Sequence, residues 1–225
     1  MTIKPREQFA KTVESLGSRD KDLVVIVGDI SHGIMKKFAK KFPKRYYNIG
    51  ICEPSTVNLC SGLSITGLNP VVHTIAPFLI ERSYEQIKLD FGYQKKSLNL
   101  VSVGSSFDYS KLGCSHHCYT DVSLISHFKN SIITLPSSAI EFDVLFKSIY
   151  KKNSIKYFRL TDNPHNVNFN KKEIKFGKGI KVFNGKDITI VALGPQLNNA
   201  ITVKNKLAKI GISAEVLYYH TFKPF

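Results

Sequence analysis

The stretch Tyr47-Asn48-Ile49-Gly50-Ile51-Cys52-Glu53-Pro54 decides how this chain is read. A short strand-like run ends in a glycine, and a single carboxylate follows at the mouth of a helix expected over residues 54–66. Pro54 suits the first helical turn, where its missing N–H costs nothing. Strand, glycine and helix in immediate succession make a βα unit, from which parallel sheets are built. Taken alone, Glu53 does no more than complement the positive end of the helix dipole.

Outward from this stretch, short apolar strands alternate with amphipathic helices. Helices are expected over 6–16, 32–42, 77–94, 121–128 and 139–150, and strands over 23–27, 46–49, 70–73, 98–103, 132–134 and 157–160. The pattern predicts an α/β fold with a mainly parallel sheet flanked by helices. Residues 161–175 are polar, carry Asp162-Asn163-Pro164 and several further asparagines, and read as a linker. A second α/β unit follows, with strands over 180–183, 188–193 and 214–219 and a helix over 197–209. So few elements cannot readily bury both faces of a sheet. The expected domains are therefore 1–165 and a partial, apparently truncated 176–225.

The 225 residues are 43% hydrophobic and 22% charged, a composition that supports a sizeable core. No apolar run has the length to span a bilayer, and Met1-Thr2-Ile3-Lys4-Pro5-Arg6-Glu7-Gln8 lacks a secretory apolar region. Cys52, Cys60, Cys114 and Cys118 are too few to suggest a disulfide scaffold. A cytoplasmic protein with reduced thiols and no membrane partner is expected. The net charge of +15 invites a nucleic-acid reading. Lysines such as Lys36, Lys37, Lys40, Lys41 and Lys44 instead spread over expected helix surfaces, without an aromatic-basic module. They read as a solvated surface suited to anionic substrates or an acidic partner, and no nucleic-acid partner is expected.

Three further stretches carry potential chemistry: His73-Thr74-Ile75-Ala76-Pro77-Phe78-Leu79, then Arg82, Tyr84, Glu85 and Gln86, then Gly113-Cys114-Ser115-His116-His117. Phe78 and Arg82 lie four residues apart and share a helix face, whereas Tyr84 points elsewhere and reads as structural. Cys114, His116, His117 and Cys118 form a compact tract, but structural zinc sites usually take two ligand pairs separated by a longer loop. No metal is assigned to it. In this order, and with residues 48–53, the stretches resemble the pyrimidine-binding domain of the transketolase family. The likeness is greatest to split forms, in which that domain sits on its own C-terminal subunit. Residues 176–225 resemble the start of the family's C-terminal domain.

The resemblance implies a thiamine diphosphate enzyme that transfers a two-carbon ketol unit between small sugar-type substrates. It implies that Glu53 hydrogen-bonds the aminopyrimidine nitrogen N1′, favouring the imino form whose 4′ nitrogen removes the thiazolium C2 proton. Phe78 would stack on that ring, with Arg82 on the same face; ordinary core packing is the other reading of Phe78. Asp29 matches an aspartate near the cofactor, or is simply a turn residue after a strand. His116 approaches the substrate carbonyl oxygen, with His117 its weaker neighbour. Arg159 corresponds to an arginine for the donor's phosphate, or makes a linker salt bridge.

The chain also departs from the family. Leu112 stands where an acidic residue precedes the glycine of the histidine motif, and a second, upstream histidine has no counterpart, its register falling near Gly104. The usual ketose phosphate donor is therefore not implied. Gly28-Asp29-Ile30-Ser31-His32-Gly33 lacks the second glycine of the Gly-Asp-Gly motif that holds the metal and diphosphate. A separate diphosphate-binding subunit is implied, holding most of the Mg2+ (or Ca2+) contacts in a dimer or heterotetramer. Two rivals stand beside this reading. The beta subunit of a 2-oxo acid dehydrogenase shares the glutamate motif but not residues 113–117, and a truncated, non-catalytic interaction module would suit the incomplete second unit.

Overall fold

The strand β1 (Leu23–Val27) is buried at all five positions, as a strand covered on both faces must be. Val24 and Ile26 point to one side of it, Val25 and Val27 to the other. The structure, a computed structural model, describes residues 3–225. Around β1 lie β2 (Tyr46–Asn48), β3 (Asn69–Ile75), β4 (Leu98–Val103), β5 (Ser131–Thr134) and β6 (Ile155–Arg159). These six strands are parallel to their neighbours in the order β5-β6-β4-β3-β1-β2. One face packs Val25, Val101 and Phe158 against Phe9 of α1 (Pro5–Gly17), Phe38 of α2 (His32–Lys41) and Phe142 and Phe146 of α6 (Ala139–Ile149). The other packs Ile26, Leu100 and Tyr157 against Val57 of α3 (Glu53–Ile65), Phe91, and Ile125 of α5 (Asp121–Ser126).

The continuous helix expected over 77–94 is broken. Wide π-type turns at Pro77–Glu81 and Ile87–Tyr93 flank a short α4 (Tyr84–Gln86), with an interruption at Arg82 and Ser83. Ser83 is fully buried, and its hydroxyl donates to the Phe78 carbonyl at 3.3 Å, while the Arg82 amide reaches back five residues to the Pro77 carbonyl. A buried serine that bonds the backbone competes with the α-helical ladder, and such widened turns recur at functional sites. Tyr84 packs on Phe128, with its hydroxyl 3.5 Å from His127 Nδ1, away from Phe78.

The second unit comprises β7 (Ile180–Phe183), β8 (Ile188–Leu193), α7 (Leu197–Ala208) and β9 (Ala214–Tyr219), its strands ordered β7-β9-β8. The chain then returns: β10 (Thr221–Lys223) pairs antiparallel with β5 at the edge of the first sheet. Lys223 Nζ donates there to the carbonyls of Ser126 and Phe128 and to Ser131 Oγ. Residues 161–175 form no helix or strand, yet they are pinned rather than loose. His165 Nε2 lies 2.7 Å from Glu141 Oε1, and Phe169 stacks on Tyr218 with ring centroids 5.4 Å apart. The polar composition of this segment hid three inward-facing residues, His165, Phe169 and Ile174. Among the described residues no helix is long and apolar enough to cross a membrane.

Glu141, fully buried on α6, is the knot of this joint. Its carboxylate accepts from Tyr218 Oη at 3.0 Å, from the Ser137 amide at 2.7 Å and from His165. Burial and this carboxylate together push the Tyr218 phenol well above its usual range. Glu141→Ala leaves three buried donors without an acceptor, and urea denaturation should show a loss of about 3–5 kcal/mol. A second buried group governs pH dependence. Lys156 is wholly inside, donating to Ser97 Oγ at 2.5 Å and to the Lys152 carbonyl at 2.6 Å, and burial lowers its pKa to about 7. The unfolded chain holds that proton to about pH 10.4, so it binds more protons than the folded chain above pH 7. Stability should therefore rise between about pH 7 and 10. Lys156→Met should remove that rise in a pH series of denaturation curves and be the more stable form at pH 6.

Candidate active site

Because the six strands run parallel, the exits of β2, β1, β3, β4 and β6 align along one edge of the sheet, the edge at which open α/β sheets bind ligands. The β2 exit passes through Gly50, whose φ of 82° is left-handed and favours glycine, and delivers Glu53 as the first residue of α3. Glu53 is 2% exposed. Arg82 Nη1 donates to Glu53 Oε2 at 2.8 Å, and the Arg82 guanidinium lies 4.2 Å above the Phe78 ring. His116 meets the Phe78 ring edge-on, with centroids 5.1 Å apart and planes at 73°. Glu53, Arg82, Phe78 and His116 thus form one contiguous group. Phe78 is only half-buried and is not simply core. Arg82 is 44% exposed, so solvent screens its ion pair with Glu53 and the pair adds little stability.

The β1 exit lies between those of β2 and β3. Asp29 and Ser31 both adopt left-handed backbone, at φ 52° and 62°, which is costly for residues other than glycine. Asn48 supports the turn from β2: its Oδ1 accepts from the amides of Asp29 at 3.1 Å and Gly50 at 3.0 Å, and its Nδ2 donates to Asp29 Oδ1 at 3.3 Å. His73 supports it from β3. The Val101 carbonyl, 2.9 Å from Nδ1, can only accept, so the ring proton sits on Nδ1 and Nε2 accepts from the Ser31 hydroxyl at 2.7 Å. Arg6 Nε in turn donates to Ser31 Oγ at 2.8 Å. Burial drives the His73 pKa to about 3, keeping the ring neutral. Asp29 itself hydrogen-bonds His32 and Asn48, not the Glu53 group.

The loop after β4 forms the next wall. A Cβ at Gly104 would meet the Tyr109 ring at 2.5 Å, so Tyr109 fills the space where the family's upstream histidine would start. Gly113, at φ 87°, turns the chain into Cys114–His116, and reciprocal backbone bonds between Ser106 and Cys118 at 2.9 Å close the loop. His116 and His117 diverge. The second packs edge-on against Phe107 at 5.1 Å, which stacks on Tyr119, and its Nε2 is buried without a partner among the described residues. Cys114 is exposed, whereas Cys118 is buried beside Glu81, and burial with nearby carboxylates makes its thiol harder to ionise. Among the described residues no three His, Cys, Asp or Glu side chains converge as a metal site.

Arg159, at the end of β6, is tied to Asp121 rather than to the segment that follows it. Its Nε donates to Asp121 Oδ2 at 2.7 Å, and its Nη2 to Ser106 Oγ at 2.7 Å and the Cys118 carbonyl at 3.3 Å. Fully buried Asp121 also accepts from Tyr157 Oη at 2.6 Å, which lies 2.8 Å from Ser102 Oγ. Arg159 borders a polar cleft of about 520 Å³ between the β4 loop and the second unit. The supporting roles of Ser31 and Asp121 have no local sequence signal, and Asn48 and His73, though inside stretches that carry the resemblance, act largely on strand exits distant in the chain.

The donor chemistry fits one half of the implied cofactor. Glu53 presents a second carboxylate oxygen, Oε1, without a protein partner among the described residues, and Arg82, which holds the other oxygen, lies over the half-buried Phe78 ring. A protonated ring nitrogen on a flat heterocycle matches that pair. Comparison with known proteins gives the family. Residues 1–164 match the model of the transketolase pyrimidine binding domain, and residues 177–225 that of the transketolase C-terminal domain. The chain is 30% identical to one of the subunits of an apulose-4-phosphate transketolase from Phocaeicola vulgatus, over 97% of this chain and 71% of that protein. It is 28% identical to a 1-deoxy-D-xylulose-5-phosphate synthase of Clostridium acetobutylicum, over 96% of this chain and 35% of the other. Among solved structures, a split gene transketolase described as an inactive beta4 tetramer superimposes with a TM-score of 0.87 at 29% identity, covering 99% of this chain and 72% of that one. A Pichia stipitis transketolase shares the fold at TM-score 0.83 and 16% identity, over 98% of this chain and 35% of its own.

Asn48 tests whether the strand exits are held together as described. Asn48→Ala removes both acceptor bonds of Asn48 at the surface. It should lower global stability by only about 1 kcal/mol while speeding hydrogen exchange at the Asp29 and Gly50 amides, read by mass spectrometry or NMR.

Proposed function

Because the chain belongs to the transketolase family, as the pyrimidine-binding and C-terminal part of a split form, we propose that it is the subunit that positions the aminopyrimidine of thiamine diphosphate for two-carbon ketol transfer. One observation carries this reading: Glu53, the Phe78–Arg82 pair and His116, from three separate stretches of the chain, meet at the sheet edge. When bound, the cofactor supplies the carbanion chemistry, and the protein supplies orientation and proton control. Glu53 holds a proton at ring nitrogen N1′ through its free oxygen, while Arg82 fixes the carboxylate through the other. Phe78 offers its face to the ring, and Asp29, held by His32 and Asn48 at the β1 exit, is assigned to the cofactor side on the family resemblance alone. His116 donates or removes a proton at the substrate's carbonyl oxygen, with His117 and Arg159 further along the substrate path.

The remaining half of the site, with Mg2+ or Ca2+ and the diphosphate contacts, we assign to a diphosphate-binding subunit. The split organisation of the similar chains supports this, and that a similar chain by itself forms an inactive tetramer supports placing activity in the assembly. The similar proteins act on different substrates, since a 6-deoxy-6-sulfo-D-fructose transketolase subunit of Clostridium sp. is among them at 25% identity. Similarity alone does not choose the sugar.

Glu53→Gln preserves volume but cannot stabilise a protonated N1′ as a carboxylate does. In the complex reconstituted with a diphosphate-binding subunit, it should reduce turnover by about 10²–10³ while leaving the circular dichroism spectrum and melting curve intact. Turnover near the wild-type rate would sink the assignment.

A further inference from the structure

The cleft beside Arg159 carries a distinct chemical message about the substrate. It is bordered by the β4 loop, the segment after β6 and the turn that opens α7, and its volume of about 520 Å³ is in the range of small-molecule sites. Its wall includes Asp108, Asp162, Asn163, Asn166 and Asn198 beside Arg159. We propose that this cleft receives the uncharged, hydroxyl-bearing tail of a sugar substrate and disfavours a phosphorylated one. The proposal rests on the ketol-transfer reading above and deepens it by naming the substrate class.

The charge balance is the first argument. Arg159 is the single cation on the wall among the described residues, and its charge is matched by buried Asp121. Its Nε and Nη2 are committed to Asp121, Ser106 and the Cys118 carbonyl, leaving only Nη1 without a partner among the described residues. Asp108 and Asp162 then leave the cleft negative. The Tyr109 phenol registers that field: burial raises its pKa most, Asp162 and Asp108 raise it further, and Arg6 opposes them. A phosphate dianion entering here meets like charge in a partly desolvated space, where repulsion is strong.

The second argument is the donor and acceptor set. A sugar hydroxyl both donates and accepts, so it pairs with carboxylates, with amides and with a single free guanidinium N–H. The wall is also pre-formed, which lowers the ordering cost of binding. Asp108 Oδ1 accepts from Asn163 Nδ2 at 2.8 Å, and its Oδ2 from the Asp162 amide at 3.0 Å. Asn198 Oδ1 accepts from the Asn166 amide at 3.0 Å, joining the second unit to the segment after β6. The wall is continuous with the reactive end of the site. Ser106 bonds Arg159 and closes the loop that carries His116, so one loop serves both.

The test is chemical-shift mapping on the whole isotope-labelled chain with three probes: D-ribose, D-ribose 5-phosphate and inorganic phosphate. D-Ribose should shift the side-chain amides of Asn163, Asn166 and Asn198, with the phosphate ester about tenfold weaker there and inorganic phosphate inert. Asn166→Ala should weaken ribose. Asp162→Asn, which keeps the shape, should narrow the tenfold gap, and Asp162→Lys should reverse it. Tighter binding of the phosphate ester by the unaltered chain, ribose shifts confined to other regions, or no ribose shifts at all would each overturn the proposal. No cofactor or turnover enters these measurements, so they can fail while the Glu53→Gln result stands, and the converse.

Discussion

Burial of the parallel sheet on both faces is the constraint from which the rest follows. Strands such as β1 have no solvent-facing side, so the two apolar layers hold helices above and below, and the strand ends are left as polar openings. Parallel pairing then brings the exits together at one edge. Glu53 comes from β2, Asp29 from β1, Phe78 and Arg82 from β3, His116 from β4 and Arg159 from β6. That they share one edge is a consequence of topology before it is one of side-chain chemistry.

Holding those exits in position requires compensating bonds. Left-handed backbone at Asp29 and Ser31 persists because Asn48 braces one and the Arg6–Ser31–His73 chain the other. His73 illustrates how burial decides role: a histidine inside a motif that carries chemistry is held neutral and serves as a strut. The broken helix after β3 has a similar logic. Its widened turns let Arg82 lie over Phe78 and reach Glu53, a placement an uninterrupted helix would have to reach by a different path.

The second unit is joined to the first more tightly than a linker implies. Tyr218 and His165 converge on Glu141, and β10 extends the first sheet at β5. Residues of both units line the polar cleft, Asp108 and Arg159 from the first and Asn198 from the second, so the relation between the units bears on what the cleft can hold. The amide-rich segment after β6, read from sequence as connecting material, becomes a wall with Asp108, Asn163 and Asn198 in defined contacts.

The amino-acid sequence by itself determined the fold class and the order of nearly all elements, and its motifs carried the family resemblance that points to Glu53, Phe78, Arg82 and His116. These are legible because burial periodicity and short motifs are local properties of the chain. Only the tertiary structure decided the break at Ser83, the strut role of His73, the pairing of Arg159 with Asp121 and the return of β10 to the first sheet. Each of these depends on which groups, distant in sequence, are left to share a buried donor or acceptor. A linear pattern carries no record of that, because the obligation to satisfy a buried polar group arises only once packing has removed the water.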